Sequence, residues 1–311
     1  MECPLSDDGE VTVSSPFRAR LFEVLSGDAS GEPEWVRALG RGSGPGFFPV
    51  GSAAWEVHRD ATTLVAGPRA LLMQALHPGA MAGVHDWSRY REDPLGRLQG
   101  TIRWITTVTY GTVDQARAAS GAVQHLHQRV RGAYEGAEGA RVAYAADDPD
   151  LAAWVHIAFM DSFLRAYQRY GSRPIPGGPD AYVAQWATAG ELMGVREPPR
   201  TVEQLERRLD AFRASGVLRV DDRVREAVEV IRRPPLPGLI RPAYPAIVSG
   251  SVATLPGWAR DLLGLRRPGP ASEATTRLVL RACAHLLGEA PTARQGRERI
   301  EASTRTASIP D

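Results

Sequence analysis

Apolar residues recur at spacings of three and four through most of this chain, and this pattern limits the possible folds more than any other sequence feature. It is the period of a helix that buries one face. Very few segments alternate between apolar and polar residues, as half-buried strands do. No period of about 20–50 residues repeats, which argues against a solenoid or propeller. We therefore predict an all-α protein.

The length fits a single helical domain with loose ends. The chain has 311 residues, enough for one large core. We predict that residues 16–288 form this domain and that residues 1–15 are flexible. The interval 132–143 is also expected to be flexible, and the polar, Arg- and Glu-rich residues 289–311 are expected to fray.

The charge balance excludes some partners. The formal net charge is +1, so no bulk attraction toward nucleic acid is expected. Lysine is absent and all 37 basic residues are arginine, which we attribute to a GC-rich genome rather than to a site. No apolar run approaches the ~20 residues of a membrane span.

The two cysteines, Cys3 and Cys283, belong to no C-x-x-C motif, so a thiolate metal site is unsupported. The absence of a disulfide framework fits a reducing compartment. The first ten residues are acidic and contain no apolar signal region. We predict a cytoplasmic protein, and its oligomeric state stays open.

The stretch between Gly67 and Gly132 concentrates the chemistry, with four of the seven histidines. Pro94 is expected to start a helix. On that helix Arg97, Thr101 and Trp104 follow one another at i, i+4 and i+7 and therefore share a face.

A second helix is predicted after Thr112, which can cap it together with Gln115 in a capping box. Its apolar stripe contains Val123 and His127. His125 lies about 200° around the helix from His127 and should point elsewhere. His127 is therefore a candidate ligand, directed toward a helical core.

Other histidines keep alternatives open. His77 precedes a proline, which places it at a helix end or kink where its ring can face inward. His156, on the next long helix, has nearly the same geometric standing as His127. His58 and Asp60 match the H-x-D half of a non-haem iron triad, but a surface pair explains them as well. A core histidine is most often simply hydrogen-bonded.

Several common catalytic templates are missing. No H-E-x-x-H, G-x-S-x-G or paired E-x-x-H motif occurs. The Gly-rich stretch at 38–52 has neither dinucleotide nor P-loop spacing, so a plain loop is expected. A haem requires a neutral imidazole, an apolar slot and polar groups for its propionates. The sequence can supply all three, although its composition does not require them.

A series of short motifs resembles the rubber oxygenase (latex clearing protein) and MpaB oxygenase family. The motifs are L-x-Q-A-L-H-P ending at Pro78, D-P-x-x-R-x-x-x-T from Asp93, Y-G-T from Tyr110, H-x-x-V-x-G from His127, Y-x-A-x-D-P from Tyr144 with W-V-H ending at His156, and LPGWARDLLGL from Leu255. They cover roughly residues 45–265. Their order and number, rather than any single motif, carry the resemblance.

The resemblance implies an all-helical, distantly globin-like core that holds one b-type haem. His127 matches the proximal iron ligand of the family, and Arg97 and Thr101 match its distal pair. His77 recurs in the family motif and is expected near the haem. Together with Trp104 and Val123 on the same two helices, these residues form the predicted cofactor site.

One departure concerns the substrate. Rubber-cleaving members carry a lysine just before the threonine that corresponds to Thr101, whereas this chain has Gly100. Rubber itself is therefore not the expected substrate, and glycine leaves room over the iron.

The resemblance implies a haem-dependent oxygenase or oxidase that binds O2 opposite His127. Its substrate would be an apolar small molecule such as an isoprenoid or another alkene, with Arg97 and Thr101 as catalytic residues. The alternatives are a non-catalytic helical protein that binds haem or an apolar ligand, and a purely structural protein.

Overall fold

Helices make up most of the chain in the computed structural model, which describes residues 16–136 and 139–307. They are α1 (Pro16–Ser26), α2 (Glu34–Arg37), α3 (Ala53–Arg59), α4 (Thr63–Ala75), α5 (Pro78–Trp87), α6 (Pro94–Tyr110), α7 (Val113–His127), α8 (Pro149–Tyr170), α9 (Gly178–Leu192), α10 (Val202–Ala214), α11 (Asp222–Arg232), α12 (Tyr244–Thr254), α13 (Gly257–Leu262), α14 (Pro270–Leu287) and α15 (Pro291–Ala307). Single 3-10 turns lie at Ala38–Gly40 and Arg241–Ala243. The described residues form one mostly helical domain.

The helix starts follow local capping chemistry. The Asp93 carboxylate accepts a hydrogen bond from the Gly96 N–H at 2.9 Å, and α6 begins at Pro94 as expected. Thr112 and Gln115 form the predicted capping box of α7, with reciprocal bonds of 3.1 and 2.9 Å. These caps need only neighbouring residues, which is why the sequence reveals them.

Helices α4 and α8 pack against each other at the centre of the core. Both bury large apolar side chains, and Leu72, Met73 and Met160 have no exposed surface. Burial of this kind is the main term that stabilises the domain.

A buried ion pair fixes the relative position of α4, α8 and α12. The Arg69 guanidinium donates to the Asp161 carboxylate at 2.6 Å, to the Ser162 hydroxyl at 2.7 Å and to the Thr254 carbonyl at 3.1 Å. Arg69 is only 1% exposed, so these partners must offset the cost of removing its charge from water.

The expectation of an all-α protein is wrong for the segment after α7, which forms a small antiparallel hairpin. Strands β1 (Arg131–Glu135) and β2 (Arg141–Ala145) pair over their whole length. The hairpin replaces most of the interval expected to be flexible. Its strands are short and largely exposed, so they give almost no period-two signal.

The C-terminal stretch expected to fray forms α15 over its described part. Ala293 of α15 is fully buried and packs with Trp55 and Tyr110, and Arg299 is only 3% exposed. A buried arginine reads as surface polarity in a sequence, so the sequence gives no sign of this packing. Residues 1–15 and 308–311 lie outside the described residues, so the expectations for them are untested.

Candidate functional site

Helices α6 and α7 build the site because a two-residue connection turns the chain back on itself between them. The Trp104 indole N–H of α6 donates to the Ser120 hydroxyl of α7 at 3.1 Å, which sets their register. Arg97 lies seven residues, or about two turns, before Trp104 on α6. His127 lies seven residues after Ser120 on α7. Arg97 and His127 therefore come near enough for the Arg97 charge to lower the pKa of His127.

Arg97 and Thr101 form a hydrogen-bonded pair on α6. The Arg97 Nη1 donates to the Thr101 hydroxyl oxygen at 2.9 Å, and the Thr101 hydroxyl lies 3.3 Å from the Arg97 carbonyl. The Thr101 hydroxyl thus holds the guanidinium in one orientation. Both side chains line a cavity.

The environment of Arg97 combines accessible surface with desolvation. Its side chain is exposed by area, yet the surrounding protein lowers the pKa of its guanidinium. The two observations agree because Arg97 lines a cavity rather than the outer surface. Arginine stays charged even after such a shift. The site therefore contains a fixed positive charge with reduced hydration.

The cavity has a volume of about 760 Å³ and mostly apolar walls. Its wall includes Leu21 of α1, Leu64 and Leu71 of α4, Ile105 of α6 and Ile247 of α12. This size lies in the usual range for small-molecule sites. Sequence analysis missed the contributions of α1, α12 and α14, because their side chains give only an ordinary amphipathic signal.

His127 carries an imidazole that is still available for a ligand. The side chain is half-buried, and its ring makes no hydrogen bond within residues 16–136 and 139–307. Burial lowers the pKa of His127, the charge of Arg97 lowers it further, and Asp147 partly opposes both. The ring is therefore held neutral, which is the form that binds iron.

Open space accompanies this histidine. An added Cβ at Gly100 of α6 or Gly121 of α7 would meet no atom within 4 Å. Leu126, next to His127, is 60% exposed, and Val123 and Trp104 are half-buried. Apolar surface next to His127 is thus left uncovered at Leu126.

His77 lies at the junction of α4 and α5, as its position before Pro78 predicted. Its Nδ1 accepts a hydrogen bond from the Gly79 N–H at 3.1 Å, and its ring packs near Trp154 and Phe212. Burial lowers the pKa of His77 to about 4. In the described part of the chain, neither His77, Trp104, Val123 nor His127 belongs to the wall that Arg97 and Thr101 line.

The alternative ligand His156 is enclosed. It is 7% exposed, its Nε2 has no hydrogen-bond partner among the described residues, and burial lowers its pKa to about 4. An added Cβ at Gly190 of α9 would lie only 2.8 Å from that nitrogen. The backbone of α9 therefore covers the ring, and a metal could reach it only if α9 moved.

The His58 and Asp60 motif does not form a metal site. The His58 ring nitrogens lie 3.1 Å from the hydroxyls of Thr109 and Tyr182, and Asp60 accepts from the Thr62 N–H at 2.8 Å. No group of three potential metal-ligating His, Cys, Asp or Glu side chains occurs in the part of the chain that the structure describes. The surface-pair explanation also fails for His58, which is buried.

The fold and the site define a helical protein with an apolar cavity, a fixed arginine on its wall and a neutral histidine across from that arginine. A family model described as "ER-bound oxygenase mpaB/B'/Rubber oxygenase, catalytic domain" matches residues 55–288. The chain belongs to this family of oxygenases, which perform oxidoreductase chemistry. No curated protein and no solved structure matches the chain significantly.

The family description includes an ER-bound oxygenase. Among residues 16–136 and 139–307, none of the helices has the length and apolarity that a membrane crossing requires.

Proposed function

We propose that this protein is a haem b-dependent oxygenase or oxidase that uses O2 to oxidise an apolar small molecule. His127 would ligate the iron, and Arg97 and Thr101 would act at the reacting oxygen. The observation that carries this proposal is the pairing of a neutral, uncommitted His127 imidazole with Arg97 across α6 and α7.

The residues fit a haem. A b-type haem needs one neutral imidazole, apolar walls and polar or cationic groups at its edge. His127 supplies the first, and Val123 and Trp104 offer half-buried apolar surface. His77 is proposed to border the haem, although its role there is open. The globin-like character of this core remains part of the proposal.

The chemistry divides between the cofactor and the chain. A bound haem would supply the redox chemistry that activates O2. The Arg97 guanidinium, held by Thr101, would donate hydrogen bonds toward the negative charge that develops as oxygen is reduced. Because the guanidinium is already oriented and poorly hydrated, little reorganisation is needed when that charge appears.

The cavity would hold the substrate. Its apolar walls exclude water and suit an isoprenoid or another alkene. Gly100 leaves space beside Thr101, where rubber-cleaving relatives are expected to carry lysine, so a substrate other than rubber is proposed. A cytoplasmic location remains a prediction from the composition.

A cofactor test uses two neighbouring histidines of α7. The purified full-length protein should show a Soret band, either as purified or after addition of haemin. His127→Ala should lose this band, whereas His125→Ala should keep it, because His125 is exposed and only contacts Arg129 at 3.0 Å. A protein that stays colourless with haemin, or a His127→Ala variant with an unchanged spectrum, would refute the proposal.

The cavity alone would also suit a non-catalytic carrier of haem or of an apolar ligand. Arg97→Ala separates the two functions. An oxygenase should keep its haem and lose O2-dependent turnover, whereas a carrier shows no turnover in either form.

A further inference from the structure

Arg97 has no counter-charge. Among the described residues it forms no ion pair, and its only side-chain partner is the neutral Thr101 hydroxyl. Its guanidinium lines the cavity, and among the described residues no carboxylate oxygen lies within ion-pair distance of it. The Arg97 charge is therefore available to an anionic ligand in the cavity.

The other charged groups on the described cavity wall are paired, hydrogen-bonded or exposed. Asp60, a half-buried carboxylate of that wall, accepts a hydrogen bond from the Thr62 N–H at 2.8 Å. Glu56 pairs with Arg59 at 2.9 Å, and Glu289 pairs with Arg297 at the same distance. Arg173 is the remaining unpaired arginine on the described wall, but it lies on the exposed loop after α8. Among the charged groups of this wall, Arg97 therefore offers a bound anion the strongest electrostatic interaction.

The wall that continues from Arg97 is apolar. Leu98, Ile102 and Ile105 follow on α6, and Phe159 and Phe163 of α8 line the same cavity. A ligand that fills it thus meets a cationic end and a long apolar surface. A guanidinium binds a carboxylate with two parallel hydrogen bonds, which makes carboxylate the best match for that end.

We propose that the cavity binds an amphipathic carboxylate, with its carboxylate on Arg97 and its hydrocarbon tail along α6 and α8. This inference rests on the proposed function only in taking the cavity as the substrate site, and it needs no haem. The Arg97 guanidinium has five N–H donors, so it can hold a carboxylate and still donate toward the reacting oxygen. It narrows the substrate class from neutral apolar compounds to long-chain acids.

The test measures how strongly a carboxylate is preferred over an alcohol of equal length. Palmitate and hexadecanol compete for a fluorescent fatty-acid probe on the full-length protein, as purified and after loading with haemin. Wild type should bind palmitate about tenfold or more tightly, the effect of one charge-assisted hydrogen-bonded pair. Arg97→Gln should remove this preference and keep hexadecanol binding, which also shows that the variant is folded.

Two matched variants serve as controls. Arg103→Gln changes an exposed arginine of the same helix that does not line the cavity, and should keep the preference. Arg173→Gln changes the exposed arginine of the wall, and should also keep it. Equal binding of acid and alcohol by wild type, or a preference that survives Arg97→Gln, would overturn the inference.

A preference lost only in Arg173→Gln would overturn it as well. The inference would also be overturned if Arg97→Gln impaired haem loading but left the preference for palmitate unchanged, because Arg97 would then bind a haem propionate. Absence of a Soret band would refute the proposed function but would leave this binding result unchanged, so the two failures are distinguishable.

Discussion

The Arg299 guanidinium of α15 donates a hydrogen bond to the Tyr110 carbonyl, the last of α6, at 3.0 Å. The same group lies 3.4 Å from the Gln115 side chain, which belongs to the capping box of α7. One side chain from the C-terminal helix thus contacts both sides of the turn between α6 and α7. The geometry of the site depends on that turn.

Arg299→Ala should therefore destabilise the fold by about 2 kcal/mol, because it leaves the buried Tyr110 carbonyl without this donor and opens a gap. Chemical denaturation followed by circular dichroism measures the change. Arg305→Ala, at an exposed position of the same helix, is the control and should change stability by less than about 0.5 kcal/mol. Equal stability of both variants would mean that the desolvation of Arg299 cancels its hydrogen bonds.

Gly190→Ala should also destabilise the protein, because its new methyl group would lie 2.8 Å from the rigid His156 ring. Overpacking of this kind costs about 1–3 kcal/mol. Gly121→Ala is the matched control, since its methyl group meets no atom and alanine favours helix by about 0.5–1 kcal/mol. Thermal melting should separate the two variants in opposite directions. A stabilising Gly190→Ala would show that space exists beside His156.

Stability should fall as the pH decreases from about 6.5 toward 4. Burial lowers the pKa of His58 to about 3 and that of His156 to about 4, below the ordinary value of 6.5. The unfolded chain therefore binds more protons in this interval, and the stabilisation present above pH 6.5 is lost as these histidines become protonated. Over this interval the free energy of unfolding of His156→Met should fall by about 3 kcal/mol less than that of wild type.

Denaturant titrations at several pH values measure this dependence, with the exposed His125→Gln as the control. If the free energy of unfolding changed with pH equally in wild type and His156→Met, the expected role of buried His156 would be contradicted.

Arg97 and His127 should be coupled in their pH dependence. The Arg97 charge lowers the pKa of His127, so Arg97→Gln should raise it. Protons would then compete with iron at higher pH, and the acid limb of haemin binding should shift upward. Soret titrations of wild type, Arg97→Gln and the control Arg103→Gln measure the midpoint. A downward shift would mean that the two side chains do not interact as the geometry indicates.

The sequence predicted local structure correctly wherever neighbouring residues determine it. The start of α6 at Pro94, the capping box at Thr112 and the turn at His77 were predicted correctly, because caps and prolines act within a few residues. Pro68 is an exception to the rule that prolines mark helix starts, because α4 begins at Thr63 and includes it.

The sequence also placed Arg97 and Thr101 on one face, since that follows from helical spacing alone. It could not rank His127 against His156, because both lie on apolar stripes. In the structure the Gly190 backbone covers the His156 ring, whereas His127 is half-buried, and 34 residues separate Gly190 from His156 in the chain.

The sequence by itself determined the helical class and most helix starts, because periodicity and capping are properties of short segments. Tertiary structure decided the hairpin after α7, the packed α15 and the apolar cavity, and it left Arg97 without an ion pair among the residues that the structure describes. These features depend on contacts between residues far apart in the chain, where packing and desolvation depend on every neighbour at once.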